Sequence, residues 1–111
     1  MSFQFGDVVL VPFPFTDQSA TKQRPGVVIS NAAYHQARRD LILMPISGHI
    51  RQSSAFGDVS IHDWQSAKLL KPSVVKPVIA ALEQSLIIKT LGKLSQRDQV
   101  ALKEAIVPII A

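Results

Sequence analysis

The chain contains no cysteine. Disulfides, thiolate nucleophiles and cysteine-ligated zinc are therefore excluded together, and a reducing cytoplasm is the compartment that such a composition suits. Histidine is scarce. His35, His49 and His62 lie far apart, and none has the spacing of a paired ligand on a helix, so no metal site and no cofactor are expected. In an extended segment His62 and Asp63, being adjacent, would point to opposite faces. No glycine-rich phosphate loop is present, because "PGVV" and "TLGKL" lack the glycine spacing, and no Gly-x-Ser-x-Gly elbow occurs. Pro, Lys or Gln interrupts every apolar run before it could span a bilayer, so no membrane association is expected. The opening "MSFQFGDVVL" has no basic segment followed by an apolar core, so no signal peptide is expected. Repeats and low-complexity tracts are missing as well. Acid is locally absent: residues 18–39 hold Lys22, Arg24, Arg38 and Arg39 but no Asp or Glu.

What is present is a core. At 111 residues and 47% hydrophobic content, residues 1–111 read as one folded domain rather than a disordered chain. Twelve Lys and Arg against eight Asp and Glu give a formal charge of +4. Such an excess points toward a polyanionic partner, since cation–phosphate contacts release counterions. Net charge speaks to partners and not to fold.

The elements are short and punctuated. "FGDVVLVPF" predicts a strand over residues 8–11, ending at Pro12. "PFPFTDQSATKQ" predicts a loop rich in turn formers. "RPGVVIS" predicts a second strand with Pro25 at its start, where a missing N–H does least harm. "NAAYHQARR" reads as a short helix capped by Ser30 or Asn31. "DLILMPIS" is so uniformly apolar that it should be buried on both faces. "GHIRQSSAFG" reads as a loop or hairpin arm, "DVSIH" as a short strand and "DWQSAK" as a turn. "LLKPSVVKPVIAAL" gives one or two strands near a sheet edge, broken by Pro72 and Pro77. "EQSLIIKTLGK" fits strand or helix. The last segment is clearest: Ser95 to Asp98 follows the capping-box pattern, and Leu94, Val100, Leu102, Ala105, Ile106 and Ile109 mark a helical apolar face. Pro108 should loosen its last turn. The class is α+β, mainly β: a twisted or barrel-like antiparallel sheet with short helices and a C-terminal helix.

The chemistry available is limited. Arg24 stands at the mouth of the second strand and Ser47 at the end of the third, each held by a rigid element. Pro45, Ser47 and His49 share one face if the chain stays extended. A guanidinium and a hydroxyl can stabilise the charge of a phosphorane-like transition state. RNA suits such a site, because its 2′-OH is a built-in nucleophile that needs orientation more than activation. His49 is the titrating group closest to hand for a proton relay. Phe13 and Phe15 could stack on bases, although alternation sends one of them to the core. Each residue also has a plainer reading. Arg24 pairs with Asp7 or Asp17 on the surface, Ser47 is a turn residue before Gly48, His49 is an exposed loop histidine, and Trp64 is a packing lid.

Four segments in order, "GDVVLVPFPFTDQSATKQRPGVVIS", "MPIS", "LLKPSVV" and "LGKLS", together resemble the MazF/PemK toxins of bacterial toxin–antitoxin pairs. The likeness runs from Gly6 to the final helix. It implies a small SH3-like barrel or twisted sheet working as a homodimer in the cytoplasm. The implied activity is a metal-independent, sequence-selective endoribonuclease, an mRNA interferase, acting on single-stranded RNA. Its products would be a 2′,3′-cyclic phosphate and a 5′-OH. A cognate antitoxin would lay an acidic tail in the RNA groove. The family's arginine falls on Arg24 and its hydroxyl residue on Ser47, where many members carry threonine. The implied RNA-contacting set is Phe15, Lys22, Gln23, Arg51 and Ser73; His49 has no assigned family role. Two alternatives of other classes remain. One is a non-catalytic topoisomerase poison like CcdB, whose tryptophan-bearing tail has no counterpart in "VPIIA". The other is a nucleic-acid-binding module without chemistry.

Overall fold

The computed structural model describes residues 2–13, 22–48 and 56–111. The loop expected over most of "PFPFTDQSATKQ" and the stretch "HIRQSSA" of the expected arm lie outside the described residues, and with them Phe15, His49 and Arg51. The chain runs β1 (Asp7–Phe13), β2 (Lys22–Val28), α1 (Ala32–Ala37), β3 (Asp40–Ser47), β4 (Val59–Ser60), β5 (Val74–Val75) and β6 (Ala80–Glu83). A single 3-10 turn (Gln84–Leu86), β7 (Lys89–Lys93) and α2 (Gln96–Ile110) complete it. The segment that fitted strand or helix thus contains both, a 3-10 turn leading into β7. Asn31 caps α1 by accepting the N–H of Tyr34 at 3.0 Å.

All strand pairs are antiparallel and form one seven-stranded sheet in the order β4-β5-β3-β2-β1-β7, with β6 also paired to β3. Among the described residues the order does not close on itself, so the sheet is open and not a completed barrel. β3 is its spine. One edge meets β2, and the other is shared by β6 over residues 40–43 and β5 over residues 46–47.

Both faces of this sheet are covered, because adjacent residues point opposite ways. Val8, Val27, Met44 and Ile46 face a core that also holds Val75, Leu94 and Leu102. Val9, Val11, Val28, Leu41 and Leu43 face a second core closed by Phe3 and Leu82. The uniform apolarity of "DLILMPIS" follows directly: the strand feeds two cores at once.

Three prolines lie inside these strands, and each turns its missing N–H toward a gap. The N–H of Ile88 donates to the carbonyl of Leu10, so Leu10 and, two residues on, Pro12 aim their main-chain groups toward the β7 side. β7 pairs with β1 only at Asp7 through Leu10 and leaves Pro12 unopposed. β1 therefore continues past Pro12 to Phe13, longer than the sequence suggests. Pro25 lies opposite Leu10 and turns toward β3, one residue beyond the β2–β3 ladder, which begins at Gly26 and Pro45. Pro45 sends its carbonyl to the N–H of Lys76 and occupies the changeover between β6 and β5 on the far edge of β3. A proline costs no ladder bond at such places.

The C-terminal helix is anchored by one apolar and one polar contact. Leu102 is fully buried, with Ala101, Ala105, Ile106 and Ile109 beside it. Val100 is 44% exposed and does not belong to the apolar face, since two residues before Leu102 is roughly the opposite side of a 3.6-residue turn. The helix continues through Pro108, and Ala111 donates to Val107. Ser95 caps α2, but Asp98 departs from the capping box. Its carboxylate is 1% exposed and accepts the N–H groups of His62 and Asp63 at 2.9 and 2.8 Å. It thereby fastens the 62–69 turn to the helix start. Asp63 in turn takes a hydrogen bond from Ser95 and a two-pronged one from Arg97 at 2.8 and 2.9 Å.

Two outcomes follow. Asp98→Ala strands two main-chain donors and should cost about 3 kcal/mol, read as a lowered urea midpoint. The Arg97 guanidinium, helped by the Ser95 hydroxyl, holds the Asp63 carboxyl down at about 2 from its usual 3.8. Because the folded value is the lower one, this contribution is complete above about pH 4 and is lost as pH falls toward 2. The stability gap between wild type and Asp63→Asn should accordingly shrink as denaturation is repeated from about pH 5 down to 2.

Candidate nucleic-acid interface

The β2–β3 ladder ends at Gly26 and Pro45. Its register pairs residues whose numbers sum to 71, so two steps further on Arg24 comes opposite Ser47. There the strands no longer pair. β2 stays with β1, where Arg24 meets Val11, and Ser47 turns to Val74 of β5. The separation opens a cleft of about 540 Å³, and both Arg24 and Ser47 line it. Its floor is apolar, with Leu10, Pro25, Ile46 and Leu91. Among the described residues its charged lining is of one sign: Arg24, Lys68, Lys71 and Lys89, with no Asp or Glu. Among the described residues none of the four makes an ion pair, while Lys76, Lys93 and Arg97 do, with Asp58, Asp7 and Asp63. Asp7 thus takes Lys93 rather than Arg24. Four cations with no ion pair among the described residues, over an apolar floor, form an electrostatic trough that raises the local concentration of anions.

The other residues singled out from the sequence divide. Gln23 and Ser73 line the cleft, and Ser73 is 5% exposed, with its hydroxyl donating to the carbonyl of Lys71 at 2.8 Å. Lys22 is exposed but lies outside the lining, at the hairpin end opposite Phe13. Trp64 packs partly buried against the first core, as a lid would.

Three lysines and one leucine of this cleft went unnoticed in the sequence. Lys68 arrives on the turn that Asp98 fastens down and Lys71 just beyond it, Lys89 on β7, and Leu70 sits 98% exposed at the lip. Leu70 and Lys71 stood in a recognisable motif, "LLKPSVV"; Lys68 and Lys89 are brought in by chain crossings that no local pattern encodes. Lys71 folds back over Gly48. A Cβ at position 48 would collide with its side chain, so the glycine leaves the space through which an ammonium reaches the end of β3.

The nearest rival for a nucleophilic pair is Ser30 with His35, whose hydroxyl and Nε2 are 2.6 Å apart. Ser30 is 5% exposed, its oxygen also accepts the N–H of Ile42, and His35 Nδ1 is held by the carbonyl of Phe3. Every polar atom of this pair is engaged in joining the N-terminal segment to β3. Among the described residues no cluster of three or more His, Asp or Glu side chains could hold a metal.

The family model for PemK-like, MazF-like toxins of type II toxin–antitoxin systems matches residues 4–110. No curated protein matches the chain in sequence. Similar solved structures include an endoribonuclease in complex with its cognate antitoxin from a mycobacterial species, at 15% identity, a TM-score of 0.79, and 98% and 95% of the two chains covered. Mycobacterium tuberculosis toxin MazF-mt6 aligns at 19% identity with a TM-score of 0.71, covering 93% of this chain and 94% of that one. A MazE–MazF complex from Deinococcus radiodurans aligns at 14% identity with a TM-score of 0.75, covering 100% and 97%. At these identities the likeness carries the fold.

One prediction tests the Lys71 arrangement. In Gly48→Ala the new methyl meets only the flexible end of a lysine, so stability should stay within about 0.5 kcal/mol of wild type. The displaced ammonium should nonetheless weaken polyanion binding, seen as earlier elution from heparin.

Proposed function

Because the chain belongs to the PemK-like, MazF-like toxin family of type II toxin–antitoxin systems, we propose that it is an endoribonuclease that cleaves single-stranded RNA, mRNA above all, without a metal. The observation that carries this reading is the meeting of Arg24 and Ser47 in one cleft whose charged lining, among the described residues, is cationic. RNA presents a chain of phosphates to such a trough, and its unstacked bases can lie on the apolar floor.

In the proposed reaction the 2′-oxygen attacks the adjacent phosphorus, a P–O2′ bond forms and the P–O5′ bond breaks. The proton of the 2′-OH goes to a base, and the departing 5′-oxygen gains one. The products are a 2′,3′-cyclic phosphate and a 5′-OH. Arg24 grips non-bridging oxygens with parallel N–H donors and balances the charge that grows on them. Ser47 orients an oxygen of the same group. His49, two residues beyond Ser47 and outside the described residues, is proposed as the proton carrier. A stabilisation of 2 kcal/mol confined to the transition state is worth about thirtyfold in rate, so charge balance and proton transfer must act together. Lys22, Gln23, Ser73, Phe15 and Arg51 are proposed to hold the flanking nucleotides.

Solved structures with this fold include a toxin bound to its antitoxin. By the same chemistry an antitoxin with an acidic tail would compete with RNA for the cationic cleft. Homodimerisation is proposed with it. Among the described residues no helix is long and apolar enough to cross a membrane, and with mRNA as substrate the proposed place of action is the cytoplasm.

Primer extension on a long transcript, in EDTA, tests this directly. Wild type should cut at a short recurring sequence, and Arg24→Ala should lose about 10²-fold or more of the rate. Binding without cleavage would indicate a module without chemistry. No effect on RNA together with topoisomerase inhibition would indicate the poison.

A further inference from the structure

Lys68 adopts a backbone conformation that its side chain makes costly. Its φ is +66°, and it is the one described non-glycine residue with positive φ. Its place explains the angle. The N–H of Leu69 donates to the carbonyl of Trp64 and that of Lys68 to Gln65, each at 3.0 Å. These two bonds close a single helical turn in the Schellman manner, with Lys68 at the left-handed position where glycine is the ordinary occupant.

The surroundings give up space for this lysine. A Cβ on Gly92 of β7 would lie 2.5 Å from the carbonyl oxygen of Ala67 and 2.8 Å from Cγ of Lys68. Glycine is thus present at position 92, where the chain passes close, and absent at position 68, where the angle calls for it. The turn is also held rigid: Asp98 accepts the N–H groups of His62 and Asp63 at its start. Lys68 is exposed, lines the cleft and makes no ion pair among the described residues. Among the described residues its charge serves no contact of the fold.

We infer that Lys68 is a positioning residue for RNA: its strained, clamped backbone holds one ammonium over the cleft to contact a phosphate other than the one cleaved. The inference rests on the endoribonuclease reading and deepens it. Arg24 lies near the start of β2 and Ser47 at the end of β3, whereas Lys68 stands on a separate wall formed by the 62–69 turn against β7. An extended strand gripped at Arg24 would meet this wall with a flanking nucleotide. A lysine there costs stability and gives a fixed point charge in return.

The test compares wild type with Lys68→Gly, Lys68→Asn and Lys68→Arg in three measurements. The probe is a 2′-O-methylated RNA of about 15 randomised nucleotides, which lacks the attacking hydroxyl. Lys68→Gly and Lys68→Asn should melt higher, by about 4 °C for glycine, because both residues accept the left-handed region. Both should bind the probe about fivefold more weakly, and the slope of log affinity against log salt should fall by about 0.7, the value of one single-strand phosphate contact. Lys68→Arg should keep the wild-type slope. Unchanged affinity and slope in Lys68→Gly and Lys68→Asn, with wild type still binding the probe and cleaving transcript, would overturn this inference and leave the function standing. A melting temperature that does not rise in either variant would overturn the claim of strain. Wild type that neither binds the probe nor cuts RNA would overturn the underlying reading, and this inference with it.

Discussion

The β2–β3 ladder stops at Gly26 and Pro45, and the cleft exists because it stops there. Pro25, which faces β3, has no N–H to continue the pairing, so the two strands follow different partners. Arg24 stays with β1 and Ser47 joins β5. Had the ladder run two residues further, Arg24 and Ser47 would lie side by side as a closely spaced, non-hydrogen-bonded pair and the space between them would be closed. The side chains still emerge on one face, since the register is set by the paired residues before the gap. Rigid placement and an open site come from the same break.

The polar network at the base of α2 does for the opposite wall what the ladder does for the strands. Asp98 is buried and gives both carboxylate oxygens to main-chain donors of another segment. Asp63, held by Arg97 and Ser95, ties the same turn to the helix from outside. The turn that carries Lys68 and leads to Lys71 therefore stands or falls with the attachment of α2. Carboxylates are spent here and at Asp58 and Asp7 on fastening the fold, and among the described residues no Asp or Glu lines the cleft. Its positive field results from where the acids are used as much as from where the bases lie.

Much of the sheet was legible because its causes are local. Alternation set the strand faces, the two-sided burial of β3 followed from "DLILMPIS", and Asn31 and Ser95 marked their helix starts. Misreadings arose where a distant partner decides. Pro12 lies within β1 because β7 has already ended beside it. Asp98 leaves its own cap for the N–H groups of residues more than thirty positions away. Val100 looked like core through its chemistry alone, and its angle on the helix left it exposed.

Arg24 and Ser47 could be named from the sequence because each sits at the end of a strand bounded by proline, and the order of the surrounding segments carries the family likeness. Hydrophobic period, proline placement and capping residues act over a few positions, and those the chain determines by itself. The company those two residues keep was decided elsewhere. Lys68, Lys71 and Lys89 reach the same cleft by three-dimensional crossing, and the left-handed angle at Lys68 is imposed by a turn anchored from α2. Charge converging from separate segments leaves no periodic trace in a sequence, and only the packed fold brings it to one place.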